Sequence, residues 1–363
     1  MEEQDIRVLM MLDGFHIGGT ETHVLSLTKA LLNRGVAVFV AAMPGPLESE
    51  FRKLPCTIYM YDNDKSKFEG WVRSNKINVI HAHLETSGSY AAQISEKYHI
   101  QFVYTIHGTY YHPSLLRKLI DRPHNRPTLI SVSLPVQNWL RKYGIPSLLL
   151  PNGIDMEEFS AKTSNLRAQL NIPPDAKVLL YASRLEEERY EICKQLLKTC
   201  VVDVFNAFPD MHILIAGGGV KKGKIKKCIH TLKSKQIQYI GNRIDMPALY
   251  SISDYVVGTG RVALEAISCE RPVIAIGSKG VFGLVTPENF NKAIRYYFCD
   301  HKCRLPLHEN NIRKAVMEGL ISSHDRQYRS KELRRRVGVE MEISRVTYRI
   351  CELYKEKAKV AGQ

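Results

Sequence analysis

Short apolar runs alternate with longer stretches of helical periodicity through the first half of the chain. Five such runs contain β-branched residues and predict strands at 6–12, 36–42, 78–81, 102–106 and 129–132. The clearest helical stretch is 21–33, which Thr20 can cap and Gly35 can end. Strands that alternate with helices favour a parallel sheet with crossover helices, which is a doubly wound α/β domain.

The same alternation starts again after a polar stretch that ends in Pro173 and Pro174. The second set of predicted strands is 178–182, 212–216, 237–240, 255–257 and 272–276. We therefore expect two Rossmann-like domains that face a cleft, an N-terminal one over 1–157 and a C-terminal one over 158–335. From residue 308 onward the pattern is helical only, and we expect 336–363 to be a helix that packs back on the first domain.

Composition narrows the class of protein without naming a function. Of the 363 residues, 44% are hydrophobic and 24% are charged, which is ordinary for a globular protein and excludes disordered and fibrous classes. No apolar run approaches the ~18 residues of a membrane span, and acids stand where a signal peptide needs positive charge. We expect a cytoplasmic protein, either free or peripheral to the inner face of the membrane.

The eight cysteines are scattered without a CxxC pair, so we expect reduced thiols. The tightest cluster, Cys299 to Cys303, lacks a second ligand pair at zinc-finger spacing. We therefore expect no metal site.

The formal net charge of +14 favours contact with anions. Two basic clusters carry much of it: Lys221, Lys222, Lys224, Lys226 and Lys227 in one, and Arg326, Arg329, Lys331, Arg334, Arg335 and Arg336 in the other. Neither has the interleaved aromatic residues or the motifs of nucleic-acid binders, so we expect no nucleic-acid partner. Each cluster is either a solvated helix face or a surface for anionic lipid.

Ligands bind open parallel sheets beyond the carboxyl ends of the strands, so the turns after the strands are the places to look for chemistry. Gly18 and Gly19 directly precede a predicted helix, whose free N–H groups and dipole could hold a phosphate. The alternative is a tight turn that needs positive φ.

Arg184 leaves the end of a strand of the second domain, and Arg189 follows five residues later. Guanidinium groups bind phosphate oxygens in a bidentate manner and keep their charge, so this pair could neutralise a diphosphate. The alternative is a surface ion pair with Glu186, Glu187 or Glu188.

Two further segments of the second domain are candidates for donor binding. Glu265 lies in the helix that follows a glycine turn, with Thr259 and Arg261 just before it, and its carboxylate could bind two neighbouring ribose hydroxyls or simply complement the helix dipole. The glycine-rich segment beyond the next strand could contact phosphate or sugar through its backbone; its candidates are Gly280, Val281, Phe282, Gly283 and Leu284.

Three histidines end strands of the first domain, namely His81, His83 and His107. His107 is our candidate for contact with a sugar or phosphate, although a histidine at such a position is more often structural. The segment 216–219 lacks the spacing of a dinucleotide-binding loop, and the segment 62–64 lacks the context of a metal-binding DxD motif. We interpret both as turns.

In this order and spacing, the segments resemble the retaining glycosyltransferases of family 4, which have the GT-B fold of two Rossmann domains. The resemblance extends to about residue 300, and its strongest pieces are Gly18-Gly19-Thr20-Glu21, Leu150-Pro151-Asn152-Gly153-Ile154-Asp155, Ser183-Arg184-Leu185, Val262-Ala263-Leu264-Glu265-Ala266 and Pro272-Val273-Ile274-Ala275.

The resemblance implies a role for each matching residue. It puts Gly19 near the donor phosphates, Arg184 on the diphosphate, Glu265 on the ribose and His107 near the transferred sugar, with Gly280–Leu284 along the phosphate and sugar. It implies a nucleotide-sugar donor, with a UDP-sugar favoured, no metal ion or other cofactor, and retention at the anomeric carbon. The resemblance leaves the acceptor open among a small molecule, a lipid-linked group and a saccharide.

The chain departs from the family pattern at three positions. Val257 stands where the first acid of the family's pair is expected, Arg189 replaces a lysine, and Tyr190 replaces a glycine. Val257 keeps open a degenerate nucleotide-binding relative without catalysis, and the shared fold keeps open a nucleotide-sugar epimerase. The absence of a GxGxxG segment argues against an NAD-dependent oxidoreductase.

Overall fold

The computed structural model describes residues 2–62, 64–121, 125–301, 303, 305–322 and 326–358. The chain divides into two compact units. Unit 1 comprises Met1–Asp155 together with Met341–Gln363, and unit 2 comprises Met156–Glu340.

The described part of unit 1 contains a parallel sheet of seven strands in the order β3-β2-β1-β4-β5-β6-β7. The strands are β1 (Arg7–Gly14), β2 (Ala37–Met43), β3 (Thr57–Met60), β4 (Val79–Ala82), β5 (Gln101–Ile106), β6 (Thr128–Ser131) and β7 (Leu148–Leu149). Strand order reverses between β1 and β4, which pair directly, so the topological switch point lies between them.

Unit 2 contains, within its described residues, a six-stranded sheet in the order β10-β9-β8-β11-β12-β13. The strands are β8 (Lys177–Ala182), β9 (Met211–Ala216), β10 (Ile237–Gly241), β11 (Tyr255–Gly258), β12 (Val273–Gly277) and β13 (Gly280–Leu284). All neighbours are parallel except β12 and β13. The switch point here lies between β8 and β11.

Helices connect the strands in both units. In chain order they are α1 (Gly19–Leu32), α2 (Glu48–Arg52), α3 (Lys65–Ser74), α4 (Glu85–Tyr98), α5 (Pro113–Ile120), α6 (Leu134–Lys142), α7 (Leu166–Gln169), α8 (Glu187–Thr199), α9 (Phe205–Ala207), α10 (Lys222–Leu232), α11 (Met246–Ile252), α12 (Gly260–Ser268), α13 (Phe290–Arg295), α14 (Glu309–Ile321), α15 (Arg326–Met341) and α16 (Ile343–Ala358). A 3₁₀ turn precedes β1 at Glu3–Asp5, and a π-helical turn links α8 to α9 at Cys200–Val204.

The sheet of unit 1 is buried on both faces. Along β1, Leu9 and Met11 belong to one hydrophobic cluster, whereas Val8, Met10 and Leu12 belong to the other. Side chains alternate across a strand, so a nearly continuous apolar run is what a strand covered by helices on both faces requires.

These two α/β units confirm the predicted pair of Rossmann-like domains, and the structure corrects several details. Helix α1 begins at Gly19 with Gly18 as its N-cap, so the predicted Thr20 cap is wrong. The expected single helix over 336–363 is interrupted at Glu342, because the Ile154 N–H donates to the Met341 carbonyl oxygen and the Ile343 N–H donates to the Ile154 carbonyl oxygen. Helix α16 then packs against α1 in unit 1.

The strands that the sequence pattern missed lie at or next to sheet edges. They are β3, β7 and β13, and both residues of β7 are exposed. A short edge strand has no apolar alternation to reveal it.

The two basic clusters differ in the structure. On α10, Lys222, Lys224, Lys226 and Lys227 are exposed, as a solvated helix face requires. On α15, Arg334 donates to the carbonyl oxygens of Met156 and Phe159 at 2.7 Å each, and Arg335 and Arg336 each pair with Glu332 at 2.8 Å. Arg334 thus connects α15 to the start of unit 2, whereas Arg335 and Arg336 share one carboxylate of their own helix. Of the described helices, none has the length and apolarity that a membrane span needs.

Candidate functional site

The candidate residues of unit 2 meet at its topological switch point. Strand β8 leads into Arg184, and its partner β11 leads into Thr259 and the start of α12. Carboxyl ends of neighbouring parallel strands lie at the same edge of the sheet, where doubly wound folds bind ligands.

The segment that carries Arg184 is held by the turn after β9. The Leu185 N–H donates to the Gly218 carbonyl oxygen at 2.6 Å, and the Ser183 N–H donates to the Ala216 carbonyl oxygen at 3.1 Å. Gly217 has φ +132°, and a Cβ there would lie 1.8 Å from the Ser183 carbonyl oxygen. Only glycine permits this close approach, so the predicted turn at 216–219 fixes the backbone of Arg184.

The Arg184 side chain is exposed, and the structure gives it no ion pair with any described residue. The alternative of a surface pair with Glu186, Glu187 or Glu188 is not seen; Glu187 instead lies 3.7 Å from Lys221. Its guanidinium is therefore available to an anionic ligand.

Arg189 has a protein partner. Its Nη2 lies 2.6 Å from Asp300 Oδ1 in a half-buried ion pair. Burial alone would lower the pKa of Arg189, but the Asp300 carboxylate raises it, so the guanidinium stays charged. A ligand diphosphate would have to share Arg189 with this carboxylate.

The loop that carries Asp300 has an unusual backbone. Tyr297, Phe298 and Cys299 have φ values of 48°, 54° and 68°, a left-handed conformation that non-glycine residues rarely adopt in succession. The Thr259 hydroxyl donates to the Phe298 carbonyl oxygen at 2.6 Å, and the Lys279 N–H donates to the Cys299 carbonyl oxygen at 3.1 Å. These contacts hold the loop against the start of α12, and strained backbone of this kind concentrates at functional sites.

The same loop corrects the expectation of eight reduced thiols. Cys299 and Cys303 form a disulfide across a sequence separation of 4, with their Cα atoms 4.8 Å apart. The left-handed turn at Tyr297, Phe298 and Cys299 precedes this pair and brings the two cysteines within bonding range. The remaining six cysteines are free.

Helix α12 begins in close contact with this loop. Gly260 has φ +53°, and a Cβ at this position would lie 3.3 Å from Asp300 Oδ2. A carboxylate next to a helix N-terminus interacts favourably with the dipole. Asp300 therefore lies near Arg189, which we expected to bind phosphate, and near the start of α12.

Glu265 and Arg261 contact each other. Arg261 Nε lies 2.7 Å from Glu265 Oε1, and the Tyr250 hydroxyl donates to Glu265 Oε2 at 2.8 Å. Burial raises the pKa of Glu265, and Arg261 and Tyr250 oppose that rise. Both of the predicted donor-binding side chains are thus engaged inside unit 2, and contact with ribose stays a prediction.

The glycine-rich segment after β12 is not an open loop. Gly280–Leu284 forms β13, antiparallel to β12, and the Val281 N–H donates to the Leu305 carbonyl oxygen at 3.0 Å. Ladder hydrogen bonds engage part of the backbone of this edge strand. Contact of Gly280, Val281, Phe282, Gly283 and Leu284 with phosphate or sugar stays a prediction. Val257, where the family has an acid, is fully buried in β11.

The candidates of unit 1 lie at its own switch point. Gly18 has φ −169°, which is extended backbone, so the alternative of a turn with positive φ does not apply to it. Glycine has no side chain that could cap the first N–H groups of α1, which starts shortly after the end of β1. The start of α1 thus keeps the geometry that binds anions.

Four buried histidines surround the ends of β4 and β5. His83 Nδ1 lies 3.2 Å from His107 Nε2, and the His23 ring from α1 lies 5.9 Å from the His107 ring. His81 stacks on His83 with ring centroids 4.3 Å apart, and its nitrogens contact the hydroxyls of Tyr354 and Thr105 at 2.7 Å each. Helix α16 therefore reaches this site through Tyr354.

Burial keeps two of these rings neutral. It lowers the pKa of His81 to about 3, with a smaller contribution from His107, and it holds the pKa of His83 well below the ordinary range, with smaller contributions from His81 and His107. No three metal-ligating side chains of the described residues are arranged to hold a metal ion. The cluster is thus a group of packed imidazoles at the carboxyl ends of the strands, in which His83 and His107 are within hydrogen-bond distance.

Most of the predicted candidates lie near one another within their own units. Three residues that the sequence analysis did not name as candidates contact them. Asp300, Tyr250 and His23 contact predicted residues through long-range packing, which leaves no local signal in the sequence. His83 had a signal, because two histidines flank one residue at a strand end, but spacing did not indicate its contact with His107.

Comparison with known families covers both units. Residues 17–158 match the family described as Glycosyltransferase Family 4, and residues 162–296 match the family described as Glycosyl transferases group 1.

Two curated relatives share part of this sequence. TuaC from Bacillus subtilis (strain 168), a glycosyltransferase assigned to teichuronic acid biosynthesis, is 24% identical over 221 residues, which cover 57% of this chain and 55% of TuaC. A phosphatidyl-myo-inositol mannosyltransferase from Mycobacterium tuberculosis is 25% identical over 226 residues, which cover 56% of this chain and 57% of that protein. The chain thus spans little more than half the length of these relatives.

A solved structure agrees with the fold along nearly the whole chain. Anabaena HepE in complex with UDP and glucose has a TM-score of 0.74 and 15% identity, and the match covers 96% of this chain and 99% of HepE. At this identity the likeness shows the fold alone. Because the two matched families together take up most of the chain, and because both units have the expected fold, the chain belongs to the family 4 glycosyltransferases with the GT-B fold.

Proposed function

We propose that this protein transfers a sugar from a nucleotide diphosphate sugar, with a uridine nucleotide favoured, to an acceptor hydroxyl. The proposal includes retention of the anomeric configuration and no requirement for a metal ion. The acceptor is a small molecule, a saccharide or a lipid-linked group.

The observation that carries the proposal is the exposed Arg184 guanidinium at the switch point of unit 2. It has no ion pair with a described residue, its backbone is fixed by the Gly217 turn, and the start of α12 follows the adjacent strand. A fixed cation next to a helix N-terminus is suited to a diphosphate, and it becomes more effective as negative charge develops on the leaving group.

In the proposed reaction the acceptor oxygen bonds to the anomeric carbon on the face that the leaving group departs from. The bond between that carbon and the phosphate oxygen breaks, and the acceptor proton passes to a phosphate oxygen. The nucleotide diphosphate leaves with the bonding electron pair. Arg184 would stabilise this charge, and His107 would orient the sugar by hydrogen bonding.

Two facts about similar proteins support the choice of substrates. HepE was solved with UDP and glucose, which favours a uridine nucleotide. One relative is named for phosphatidyl-myo-inositol, which favours testing lipid-linked acceptors. Contact with an anionic membrane surface stays a prediction, and the ion pairs on α15 leave α10 as the more exposed basic face.

A second candidate is nucleotide binding without catalysis. It is favoured by Val257, which is buried where the family has an acid, and by the engagement of Glu265 with Arg261 and Tyr250. The two candidates differ in whether a bound sugar donor is turned over.

Thermal shift with UDP, GDP and ADP, each with and without EDTA, tests the donor site. We expect UDP to raise Tm in both conditions, because a ligand at 100 times its Kd adds about 2.7 kcal/mol of stability. Arg184→Ala should reduce the shift, whereas Arg313→Ala on α14, which removes a pair with Asp203, should not. No shift with any nucleotide would contradict the proposal. UDP binding without release of UDP from any sugar donor, tested with saccharide and lipid acceptors, would establish the second candidate.

A further inference from the structure

We propose that helix α10 and two exposed apolar residues beside its start dock unit 2 on an anionic lipid surface. The residues of this surface, which we call the α10 face, are Lys222, Lys224, Lys226, Lys227, Lys233, Lys235, Val220 and Ile244. The inference rests on the proposed function only for its consequence, which concerns where the protein would meet a lipid-linked acceptor.

The charge around α10 is entirely positive over a long stretch of sequence. Residues 211–244 contain no acid, and they include one arginine and seven lysines. Arg243 donates to Asp245 at 2.7 Å, and Lys221 lies 3.7 Å from Glu187. The other six lysines are those of the α10 face; all are exposed, and none forms an ion pair with a residue that the structure describes. Their charge is therefore available to an anionic partner.

The apolar stripe of α10 fixes which sides of the helix the lysines occupy. Ile225 is buried, and Cys228, Ile229 and Leu232 pack against the same hydrophobic cluster of unit 2. At helical spacing these four residues form one inward stripe. The lysines therefore fall on the remaining, outward sides of the helix.

This arrangement of lysines works against the helix that carries it. Lys222 and Lys226 are four residues apart, and like charges at this spacing destabilise a helix. No acid stands in the first turn of α10 to complement the dipole, whereas α8 has Glu187 and Glu188 there. An anionic surface would supply the missing counter-charge.

Two apolar side chains are exposed at the start of α10. Val220, which is 79% exposed, precedes the helix, and Ile244, which is 51% exposed, follows β10. Their loops are neighbours, because the Gly217 N–H donates to the Gly241 carbonyl oxygen at 2.7 Å. Exposed apolar side chains beside lysines are typical of surfaces that bind anionic membranes, where the lysines meet headgroups and the apolar groups enter the interface.

A nucleic-acid partner fits this face less well. Proteins that bind single strands stack bases on exposed aromatic rings. Tyr239 is the one aromatic residue of the stretch 211–244; it is half-buried, and Lys226 Nζ lies 5.4 Å from its ring centroid. Lipid also explains the exposed Val220 and Ile244, which a phosphate backbone would not contact favourably.

The α10 face adjoins the segment that carries Arg184. The Lys221 N–H donates to the Leu185 carbonyl oxygen at 3.1 Å, and the Leu185 N–H donates to the Gly218 carbonyl oxygen at 2.6 Å. Docking of the α10 face would therefore hold the proposed diphosphate-binding segment of unit 2 beside the lipid surface. A lipid-linked acceptor lies in that surface, so its effective concentration near the donor would rise.

The test is sedimentation of the full chain with vesicles of phosphatidylcholine, with and without phosphatidylglycerol. We expect binding only to the anionic vesicles, and loss of binding at about 1 M salt, where the Debye length is only ~3 Å. Lys224→Gln/Lys227→Gln should weaken binding about 25-fold, since each lysine near an anionic surface contributes about fivefold. Val220→Ser/Ile244→Ser should weaken it roughly tenfold.

The matched control is Lys177→Gln/Lys314→Gln, which removes the same charge from exposed lysines outside the α10 face, at the start of β8 and on α14. It should bind vesicles as the wild type does. Tm and its shift with UDP should be the same in all variants, because the substituted side chains are exposed and lie outside the proposed donor site.

Three results would overturn the proposal. They are equal vesicle binding by the wild type and either α10-face variant, an equal loss in the control variant, and tighter binding of poly(U) RNA than of anionic vesicles at the same salt. Vesicle binding needs no donor or acceptor, so it is separable from the proposed function. Normal docking without UDP release from any sugar donor would contradict the proposed function and support the docking.

Discussion

Arg261 and Glu265 lie one helical turn apart on α12 and form an ion pair at 2.7 Å, with side chains that are 5% and 7% exposed. The Arg261 guanidinium also lies 6.0 Å from the Phe159 ring centroid, and the Tyr250 hydroxyl completes the contacts of the carboxylate. A buried pair of this kind stabilises little in total, but either charge becomes costly once its partner is removed. Any variant of Glu265 therefore tests stability as well as donor binding.

Glu265→Gln should destabilise unit 2 by about 3 kcal/mol, because it leaves the buried Arg261 charge without its counter-charge. The double variant Arg261→Met/Glu265→Leu should regain most of that loss. Urea unfolding followed by circular dichroism measures both. A fully stable Glu265→Gln would show that the pair is not a structural unit.

The same variants test the predicted contact of Glu265 with ribose. If the carboxylate also binds ribose, the double variant should bind UDP more weakly by ~1 to 2 kcal/mol even though it is folded. Calorimetric titration with UDP at matched temperature measures this loss. Wild-type affinity in the stable double variant would reject the ribose role.

Asp300→Asn should strengthen UDP binding by roughly two- to fivefold, because a carboxylate that competes for Arg189 is removed. Binding of uridine, which has no phosphate, should not change. Arg189→Met is the matched control and should abolish the gain when combined with Asp300→Asn. Weaker UDP binding by Asp300→Asn would mean that the carboxylate orients Arg189 rather than competes for it.

Unit 1 should lose stability as the pH falls below the ordinary pKa of histidine. Folding depresses the pKa of His81 to about 3, and a group with a depressed pKa contributes stability that is present above its unfolded value, about 6.5, and is lost as the pH falls towards 3. At pH 5 the loss is about 2 kcal/mol for each such histidine. His81→Phe should therefore show a smaller fall in Tm between pH 7.5 and 5 than the wild type. An equal fall in both proteins would contradict the buried neutral state of His81.

The strand ends could be predicted from the sequence because their signals are local. An apolar run followed by a glycine turn or a histidine marks where a strand stops, and Arg184, His107 and Gly18 were found in this way. The carboxyl ends of parallel strands share one edge, so local signals were enough to place these candidates at the carboxyl ends of the strands.

The contacts that modify those candidates could not be predicted in this way. Asp300 reaches Arg189 across 111 residues of sequence, and Tyr354 reaches His81 across 273. The disulfide depends on three successive left-handed residues that no local preference indicates. The edge strand β13 has glycines that are typical of a loop, and only its pairing with β12 makes it a strand.

The central claim is that this protein transfers a sugar and that Arg184 stabilises the leaving diphosphate. The most direct test measures kcat for the release of UDP from UDP-glucose, with water or an identified acceptor. It compares the wild type with Arg184→Ala and Arg184→Lys. Tm serves as the folding control, and Arg313→Ala serves as the matched surface variant. The leaving group gains negative charge in the transition state, so we expect Arg184→Ala to lower kcat on the order of 100-fold or more, Arg184→Lys to lower it less, and the affinity for uridine to stay unchanged. A well-folded Arg184→Ala with near-wild-type kcat would contradict the assignment of this strand end as the active site.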